Sequence, residues 1–291
     1  MRGRLTGRTN PSQLCTAGSR WTAGTPAFQD ASASWGLAGV EGVRINVTDF
    51  DGDGWPDLVA RHAGANSDDF AGARHTWLLR NTGQKSFEDV TQSSGFLAMR
   101  THPSGSKGRP GEVMAFADVD NDGDIHGYTG VNTSDPTKSL GETSELMLND
   151  GTGHFSLGPD GSALRNVATV EAPAGASFVD FDRDGNLDVW VPQGSHATPT
   201  QLQSTPQQAR LYKGDGSGSF TEVTADAGLI TKPWASVDDL NQGLSHPNAW
   251  ASLACDLNGD GAPELLAASY GRAPDHLWQN AGNGGFLNRS V

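Results

Sequence analysis

Four short acidic stretches of the chain carry the residue types that bind a hard metal ion. Each places side-chain oxygens at its first, third and fifth positions and glycine at the sixth, and three of them add an acid at the ninth. Ca²⁺ takes six to eight oxygen ligands, and glycine permits the sharp turn that points the side chains inward. The four stretches are DFDGDGWPDL (49–58), DVDNDGDIHG (118–127), DFDRDGNLDV (180–189) and DLNGDGAPEL (256–265).

The acidic loops do not fit an EF-hand or a set of plain turns. An EF-hand needs a bidentate Glu at position 12 and flanking helices, but that position holds Ala60, Thr129, Val191 and Ala267. The acids could instead be turn formers, since Asp, Asn and Gly favour turns. However, the four loops hold 15 of the chain's 34 acids, and crowded carboxylates repel one another unless a cation neutralises them. The loops therefore predict metal binding.

The second loop has His126 where the other three have a carboxylate. An imidazole removes one negative charge and offers a borderline ligand, so this site would lose preference for Ca²⁺ and gain affinity for another divalent metal such as Zn²⁺ or Mn²⁺. In one hypothesis His126 tunes the ion or serves as a catalytic base beside a metal-bound water. In the other, the loop is a degenerate copy with His126 turned to solvent and Asp124 partly compensating.

The elements that position these loops form a repeat. The loops recur at spacings of 69, 62 and 76 residues, and each is flanked by short β-rich runs. A second motif such as TWLLRNTG (76–83) and a closing motif such as SFEDVTQSSGF (86–96) follow. Four short strands per unit at this period predict an all-β fold, a β-propeller of four-stranded blades with four blades visible. The variable stretches are predicted to be loops: 64–75, 98–110, 193–208 and 231–248.

These motifs resemble a known repeat family. The loops DFDGDGWPDL and DFDRDGNLDV, with the F-x-x-V-T-x-x-x-G-L and LLRNTG elements, resemble the FG-GAP/VCBS repeats that form the Ca²⁺-bearing propeller of integrin α subunits. The run FTEVTADAGL (220–229) is similar to bacterial ASPIC/UnbV-type secreted propellers. The resemblance covers nearly all of residues 27–291.

The resemblance implies Ca²⁺ ligands at loop positions one, three, five and nine, with the backbone carbonyl of position seven. In the second loop three residues match and His126 departs from the pattern. By matching motif the implied ligands are Asp49, Asp51, Asp53, Asp57, Asp118, Asp120, Asp122, Asp180, Asp182, Asp184, Asp188, Asp256, Asn258, Asp260 and Glu264.

The number of repeats predicts an incomplete propeller. Propellers of the resembled family usually have about seven blades, whereas this chain shows four, with closing-strand motifs at both ends (27–37 and 284–291). We therefore expect a partial or half propeller completed by self-association into a homo-oligomer, because open ends expose strand edges and apolar faces. A closed four-bladed ring is the alternative. Residues 1–26 are predicted to be a leader or a disordered segment, and 27–291 the repeats.

Charge and composition limit the partners. A net charge of −14 argues against nucleic acid, and no apolar run approaches the roughly 18 residues that span a membrane. The basic start of the chain has no apolar core and is not an intact signal peptide. The predicted Ca²⁺ sites nevertheless indicate an extracellular or periplasmic location, because Ca²⁺ reaches millimolar concentration outside the cytoplasm. The two cysteines, Cys15 and Cys255, could pair or remain free.

Three classes of function remain open at this level. The first is a Ca²⁺-binding module for binding or adhesion, whose ligand could be a protein, a carbohydrate or a small ester. The second is a metal-dependent hydrolase of phosphate or sulfate esters, and the third is a scaffold. For a lectin-like module, tryptophans could stack on sugars; core packing is the alternative and is favoured for Trp77, Trp190 and Trp278. The candidates are Trp55, Trp77, Trp190, Trp234, Trp250 and Trp278.

Overall fold

The fold is described from a computed structural model and consists mainly of short β-strands. The described residues are 22–24, 26, 28–62, 66–103, 105–196, 205–234, 238, 240, 242–270 and 273–290. The strands are β1 (Arg44–Thr48), β2 (Asp57–Arg61), β3 (Asp68–Asp69), β4 (Thr76–Asn81), β5 (Phe87–Asp89), β6 (Lys107–Gly108), β7 (Val113–Ala117), β8 (His126–Gly130), β9 (Glu145–Asn149), β10 (Phe155–Leu157), β11 (Ser177–Val179), β12 (Asp188–Val191), β13 (Ser195–His196), β14 (Thr205–Pro206), β15 (Arg210–Gly214), β16 (Phe220–Glu222), β17 (Ala249–Cys255), β18 (Glu264–Ser269), β19 (His276–Asn280) and β20 (Phe286–Asn288). The helical segments are α1 (Pro136–Ser139) and the 3-10 turns Ala163–Arg165 and Gln242–Leu244.

Sixteen of these strands form four antiparallel sheets, one for each repeat. Blade 1 has the order β1-β2-β4-β5, blade 2 has β7-β8-β9-β10, blade 3 has β11-β12-β15-β16 and blade 4 has β17-β18-β19-β20. The first strands contact one another in sequence, β1 with β7, β7 with β11 and β11 with β17. They are therefore the inner strands, and the all-β architecture of four-stranded blades is confirmed.

Each blade packs its apolar face on the next blade. Alternation along a strand sends every second side chain to one face, and these side chains meet those of the neighbouring sheet. Between blades 1 and 2 the buried core includes Phe50, Val59, Leu78, Met147 and Phe155. Between blades 2 and 3 it includes Val119, Tyr128, Leu146, Tyr212 and Phe220. Between blades 3 and 4 it includes Phe181, Trp190, Leu211, Trp278 and Phe286.

The described residues form no such core between blade 4 and blade 1. Apolar side chains of the first and last inner strands remain exposed: Ile45 by 65% and Val47 by 66% in β1, and Leu253 by 51% in β17. A closed ring would bury these side chains, because each blade needs a neighbour on both faces. The four blades thus form an open arc, as expected for part of a propeller.

A turn from the preceding repeat is docked on the outer strand of the next blade. The Phe155 N–H of blade 2 donates to Ser94 O at 2.6 Å, and the Phe286 N–H of blade 4 donates to Ala227 O at 2.9 Å. Gly95, at φ +74°, allows this approach, since a Cβ there would lie 2.5 Å from Phe155 O. Blade 1 receives the same kind of turn from residues 31–37, with the Phe87 N–H donating to Trp35 O at 2.8 Å.

The long stretches between strands contain more structure than predicted. Strand β3 pairs with β6, and β13 pairs with β14, in two short antiparallel ladders. Buried ion pairs hold some of these stretches in place. In blade 1 Arg61 pairs with Asp68 at 3.1 Å, and in blade 2 Arg109 pairs with Glu142 at 3.1 Å. Such pairs hold a loop in one geometry, because breaking one leaves an uncompensated buried charge.

Candidate metal centres

The four acidic loops occupy equivalent places in the four blades. Each loop connects the inner strand to the second strand, for example β1 to β2 and β11 to β12. The residue at position nine is the first residue of the second strand in every blade. These residues are Asp57, His126, Asp188 and Glu264. Since the inner strands lie side by side, the loops share one rim of the arc.

The acid at position nine fastens its loop to the rest of the blade. Asp57 accepts the N–H of Phe50 at 3.0 Å and the N–H of Asn81 at 2.7 Å. Asp188 does the same with Phe181 at 3.0 Å and Gly214 at 2.9 Å. Each carboxylate thereby joins position two of the loop to the end of the third strand. Each of its oxygens keeps a second lone pair for a cation.

Burial dominates the titration of these two acids. It raises the pKa of Asp57 to about 7 and that of Asp188 to about 7, and the other acids of the loop raise both further while the backbone N–H groups lower them. A cation at the loop would favour the charged form and reverse this shift. Asp57 and Asp188 therefore lie where a bound cation, or a proton, would stabilise the folded protein by neutralising their charge.

Acidic groups close enough to share one cation occur in three loops of the described chain. Their candidate ligand atoms lie within 4.8 Å of one another. Each of these loops also contains a buried carboxylate oxygen without a hydrogen-bond partner, namely Oδ1 of Asp49, of Asp118 and of Asp182. A buried oxygen without a partner is costly, and a metal ion would satisfy it. The residues of these loops fit a divalent cation. The groups are Asp49, Asp51 and Asp53; Asp118, Asp120, Asp122 and His126; and Asp180, Asp182 and Asp188.

The third loop is partly neutralised by the chain itself. The ammonium of Lys213 lies 2.8 Å from Asp184 and also pairs with Asp182. These two carboxylates raise the pKa of Lys213 above its usual range. A metal ion in this loop would have to displace the ammonium, so we expect a lower affinity here than in the first loop.

In the second loop, His126 replaces part of the function of the missing carboxylate. The imidazole is buried, and its Nδ1 accepts the N–H of Asn149 at 2.9 Å. This matches the bond that Asp57 makes with Asn81. Because Nδ1 accepts, the neutral ring carries its hydrogen on Nε2, which lies 3.0 Å from Asp120 Oδ1 and donates to it. In this state the ring offers a metal no lone pair, and it orients Asp120 instead, so Asp118, Asp120 and Asp122 remain as the candidate ligands of this loop. The arrangement favours a positioning role for His126 over proton transfer.

The fourth loop is arranged differently. Asp256 accepts backbone N–H groups with both oxygens, from Gly259 at 2.7 Å and from Gly261 at 2.8 Å. Asn258 donates to Glu264 at 3.1 Å, and Glu264 accepts the N–H of Leu257 at 2.8 Å. The acids of this loop, all within the described part of the chain, do not come close enough together to share one cation, unlike those of the other three loops. This loop is therefore the weakest candidate of the four.

Two of the loops also hold neighbouring blades together. Asn149 of blade 2 donates to Phe50 O of the first loop at 2.6 Å. Asn280 of blade 4 donates to Phe181 O of the third loop at 2.8 Å. The ring of Phe50 packs edge-on against Phe155 of blade 2, with centroids 6.3 Å apart. An ion that orders such a loop would therefore also order a joint between blades.

Sequence reasoning missed Lys213, Asn149 and Asn280. The two asparagines belong to the second repeat motif, in LMLNDG and HLWQNAG, where their recurrence was visible but their partner was not. Lys213 stands one residue before the equivalent position in blade 3, which is Gly214. As for the cysteines, Cys255 is free in the structure and Cys15 lies outside the described residues. The predicted leader, 1–26, also lies almost wholly outside them.

The family comparison agrees with the repeats. A family model of the FG-GAP-like repeat matches residues 49–125, which run from the first acidic loop into the second. This match supports FG-GAP-like repeats in the chain. No curated protein matches its sequence. No helix in the described part of the chain has the length and apolar character needed to cross a membrane.

Several solved structures show a partial likeness to the chain. An Agrocybe aegerita lectin, described as recognising non-reducing terminal N-acetylglucosamine, is 16% identical with a TM-score of 0.40, covering 84% of this chain and 51% of its own. The Photorhabdus luminescens Tc holotoxin pore is 15% identical with a TM-score of 0.35, covering 92% of this chain and 10% of its own. The V. cholerae biofilm matrix protein Bap1 is 15% identical with a TM-score of 0.36, covering 83% and 38%. The chain thus spans about half or less of these structures.

Proposed function

We propose that the chain is an extracellular, Ca²⁺-stabilised β-propeller module for binding or adhesion. The observation that carries the proposal is the buried, unpartnered carboxylate oxygen in each of three equivalent loops. Oxygen-only sites of this kind suit Ca²⁺, and millimolar Ca²⁺ is found outside the cytoplasm. A relation to integrin α subunits or to ASPIC/UnbV-type secreted propellers is the finer form of this proposal.

Metal content is the direct test. The protein would be dialysed against Ca²⁺, washed and measured by elemental analysis. We expect Ca²⁺ in the first loop, with weaker sites in the second and third loops because of His126 and Lys213. Asp51→Asn should lower the bound Ca²⁺, whereas the matched change Asn258→Ala in the fourth loop should leave it unchanged. Absence of Ca²⁺ from the parent protein at millimolar concentration would refute the proposal.

We further propose that the module associates with a second copy through the outer face of blade 4. Leu253, Leu266 and Leu277 lie side by side across β17, β18 and β19 and line a groove of about 460 Å³. The same face of blades 1, 2 and 3 is covered by the following blade. A surface shaped to receive a blade therefore remains open, and the exposed face of blade 1 in a second copy has the matching character.

Light scattering tests the association. We expect a mass above 30.5 kDa that rises with concentration in the micromolar range. Leu277→Glu should lower this mass because it puts a charge in the middle of the apolar face. The control Ile230→Glu changes a residue that is already 58% exposed elsewhere. A parent protein of monomeric mass throughout the range would exclude this contact.

A further inference from the structure

A small cleft opens at the centre of the arc, on the side away from the acidic loops. Its volume is about 240 Å³. The cleft lies where the inner strands begin: Arg44 is the first residue of β1, and Ala249 is the first residue of β17. The acidic loops follow the opposite ends of these strands. All four blades contribute to its walls. Central mouths of this type are places where propellers and barrels admit ligands.

Two exposed aromatic side chains form one wall of the cleft. Trp250 is 63% exposed and Tyr270 is 64% exposed, and their ring centroids are 5.4 Å apart. By contrast, Trp190 and Trp278 are packed inside the interblade core. The guanidinium of Arg44 lies 5.9 Å from the centroid of the Trp250 ring and donates to Ala174 O at 3.2 Å. Arg44 of blade 1 thus joins the aromatic wall of blade 4 to the backbone just before the first strand of blade 3.

The other walls of the cleft carry groups that donate and accept hydrogen bonds. Glu112 and Asn132 come from blade 2, and Ser195 and Asn248 come from blades 3 and 4. Ser195 donates to Asn248 at 2.8 Å, which orients the amide. Arg44 and Glu112 contribute one charge of each sign. Burial raises the pKa of Glu112, and the charge of Arg44 opposes that rise by favouring the carboxylate. Because the two charges offset each other in a chain of net charge −14, the cleft suits a neutral ligand.

We infer that this cleft binds one ring of a neutral carbohydrate. A pyranose has an apolar face of C–H groups that packs on aromatic rings, and an edge of hydroxyls that exchange hydrogen bonds with amides and carboxylates. A cleft of about 240 Å³ is smaller than the roughly 300–1,000 Å³ of pockets for drug-sized ligands, so it holds a single sugar unit. The inference rests on the proposed binding function and names its class of ligand.

Saturation-transfer NMR with methyl glycosides of neutral hexoses and N-acetylhexosamines tests the inference. At least one glycoside should receive saturation from the protein at millimolar concentration. Trp250→Ala and Tyr270→Ala should each weaken its binding by at least about tenfold. Glu112→Gln should weaken it less, because it preserves an acceptor. The control Ile230→Ala, also an exposed apolar residue, should leave it unchanged. Melting midpoints near the parent value would show that the variants are folded.

The outcomes separate this inference from the proposed function. No saturation transfer to any glycoside, or equal transfer in the parent and in both aromatic variants, would overturn the carbohydrate site. If Trp250→Ala changed the mass in solution and left glycoside binding intact, the aromatic pair would be a contact between copies, which also overturns it. Bound Ca²⁺ measured in the same samples keeps the metal proposal independent, because it can persist when sugar binding fails.

Discussion

The first three acidic loops and the fourth have nearly the same sequence pattern and different surroundings. The apolar residue at position two is buried in the first three, with Phe50 and Val119 each 1% exposed and Phe181 4% exposed, whereas Leu257 in the fourth is 54% exposed. Only the first three loops, among the described residues, bring acids close enough to share a cation. The difference is that another blade follows each of the first three. The comparison indicates that the loop is a joint between blades as well as a candidate metal site.

Withdrawal of Ca²⁺ should give the largest effect, because it acts on all three covered loops. Each site contributes on the order of 3–4 kcal/mol at about a thousandfold excess of Ca²⁺ over Kd. The loss of one such site moves the melting midpoint by roughly six degrees in a chain of this length, and the loss of all three moves it further. Calorimetry with Ca²⁺ and with EDTA measures the shift. Asp49→Asn should reduce it and Asp256→Asn should not, and an unchanged midpoint in EDTA would contradict the role of the loops.

Truncation at position two should separate the first loop from the fourth. Phe50→Ala removes a ring buried against Phe155 and should lower the free energy of unfolding by about 3–5 kcal/mol. Leu257→Ala removes an exposed side chain and should change it by no more than about 0.5 kcal/mol. Urea denaturation of the two variants in excess Ca²⁺ gives both values. Equal losses would mean that the following blade does not cover the first loop as described.

A buried histidine tests whether blade 4 is as well packed as the others. Burial lowers the pKa of His276, which is 2% exposed at the start of β19, to about 4 from its usual 6.5. The unfolded chain binds this proton below 6.5 and the folded chain does not until about 4. The contribution to stability is therefore complete above pH 6.5 and is lost as the pH falls towards 4, by roughly 2–3 kcal/mol.

Urea denaturation across this pH range checks the prediction for His276. His276→Gln should flatten the dependence of the unfolding free energy on pH by about one proton. His154→Gln, at an exposed position, is the matched control and should retain the parent slope. Identical slopes in the parent and in His276→Gln would show that blade 4 is loosely packed.

His126→Asp should make the second loop resemble its neighbours. The carboxylate can accept the Asn149 N–H and add a charge to the cation site, so we expect more bound Ca²⁺ in the metal analysis. Hydrolysis of chromogenic phosphate and sulfate esters, followed in parallel, tests His126 as a catalytic base. If metal content and activity both match the parent, His126 has no special role in this loop.

The blades were predictable from the sequence because the same strand pattern recurs in each of the four repeats. The positions of the acidic loops were predictable for the same reason, whereas the role of their carboxylates as Ca²⁺ ligands stays a prediction. What the sequence did not reveal depends on contacts between units. The Asn149–Phe50 bond between blades 1 and 2 spans 99 positions, and the Asn280–Phe181 bond between blades 3 and 4 also spans 99. No local pattern encodes these distances, because they follow from how one sheet stacks on the next.

His126 shows the same limit at a single residue. The sequence marked it as a departure and suggested either a metal ligand or a solvent-facing remnant. In the structure His126 is buried and accepts the Asn149 N–H. In blades 1 and 3 a carboxylate accepts the equivalent backbone N–H. That bond depends on the third strand, which lies more than twenty positions away in the chain. The need to accept a backbone N–H can therefore explain the histidine at this position, which from sequence alone suggests a change in metal chemistry.

The docked turns have a consequence for how such a protein can gain or lose units. Blades 1, 2 and 4 are each completed by a turn that precedes their own first strand in the sequence, as Trp35 serves Phe87 and Ser94 serves Phe155. A gene duplication or deletion cut at the edges of a sheet would leave one blade without its turn. The piece that can be copied intact instead runs from one turn to the next. The segment that can be duplicated, from one turn to the next, is therefore offset along the chain from the four-stranded sheet that forms a blade.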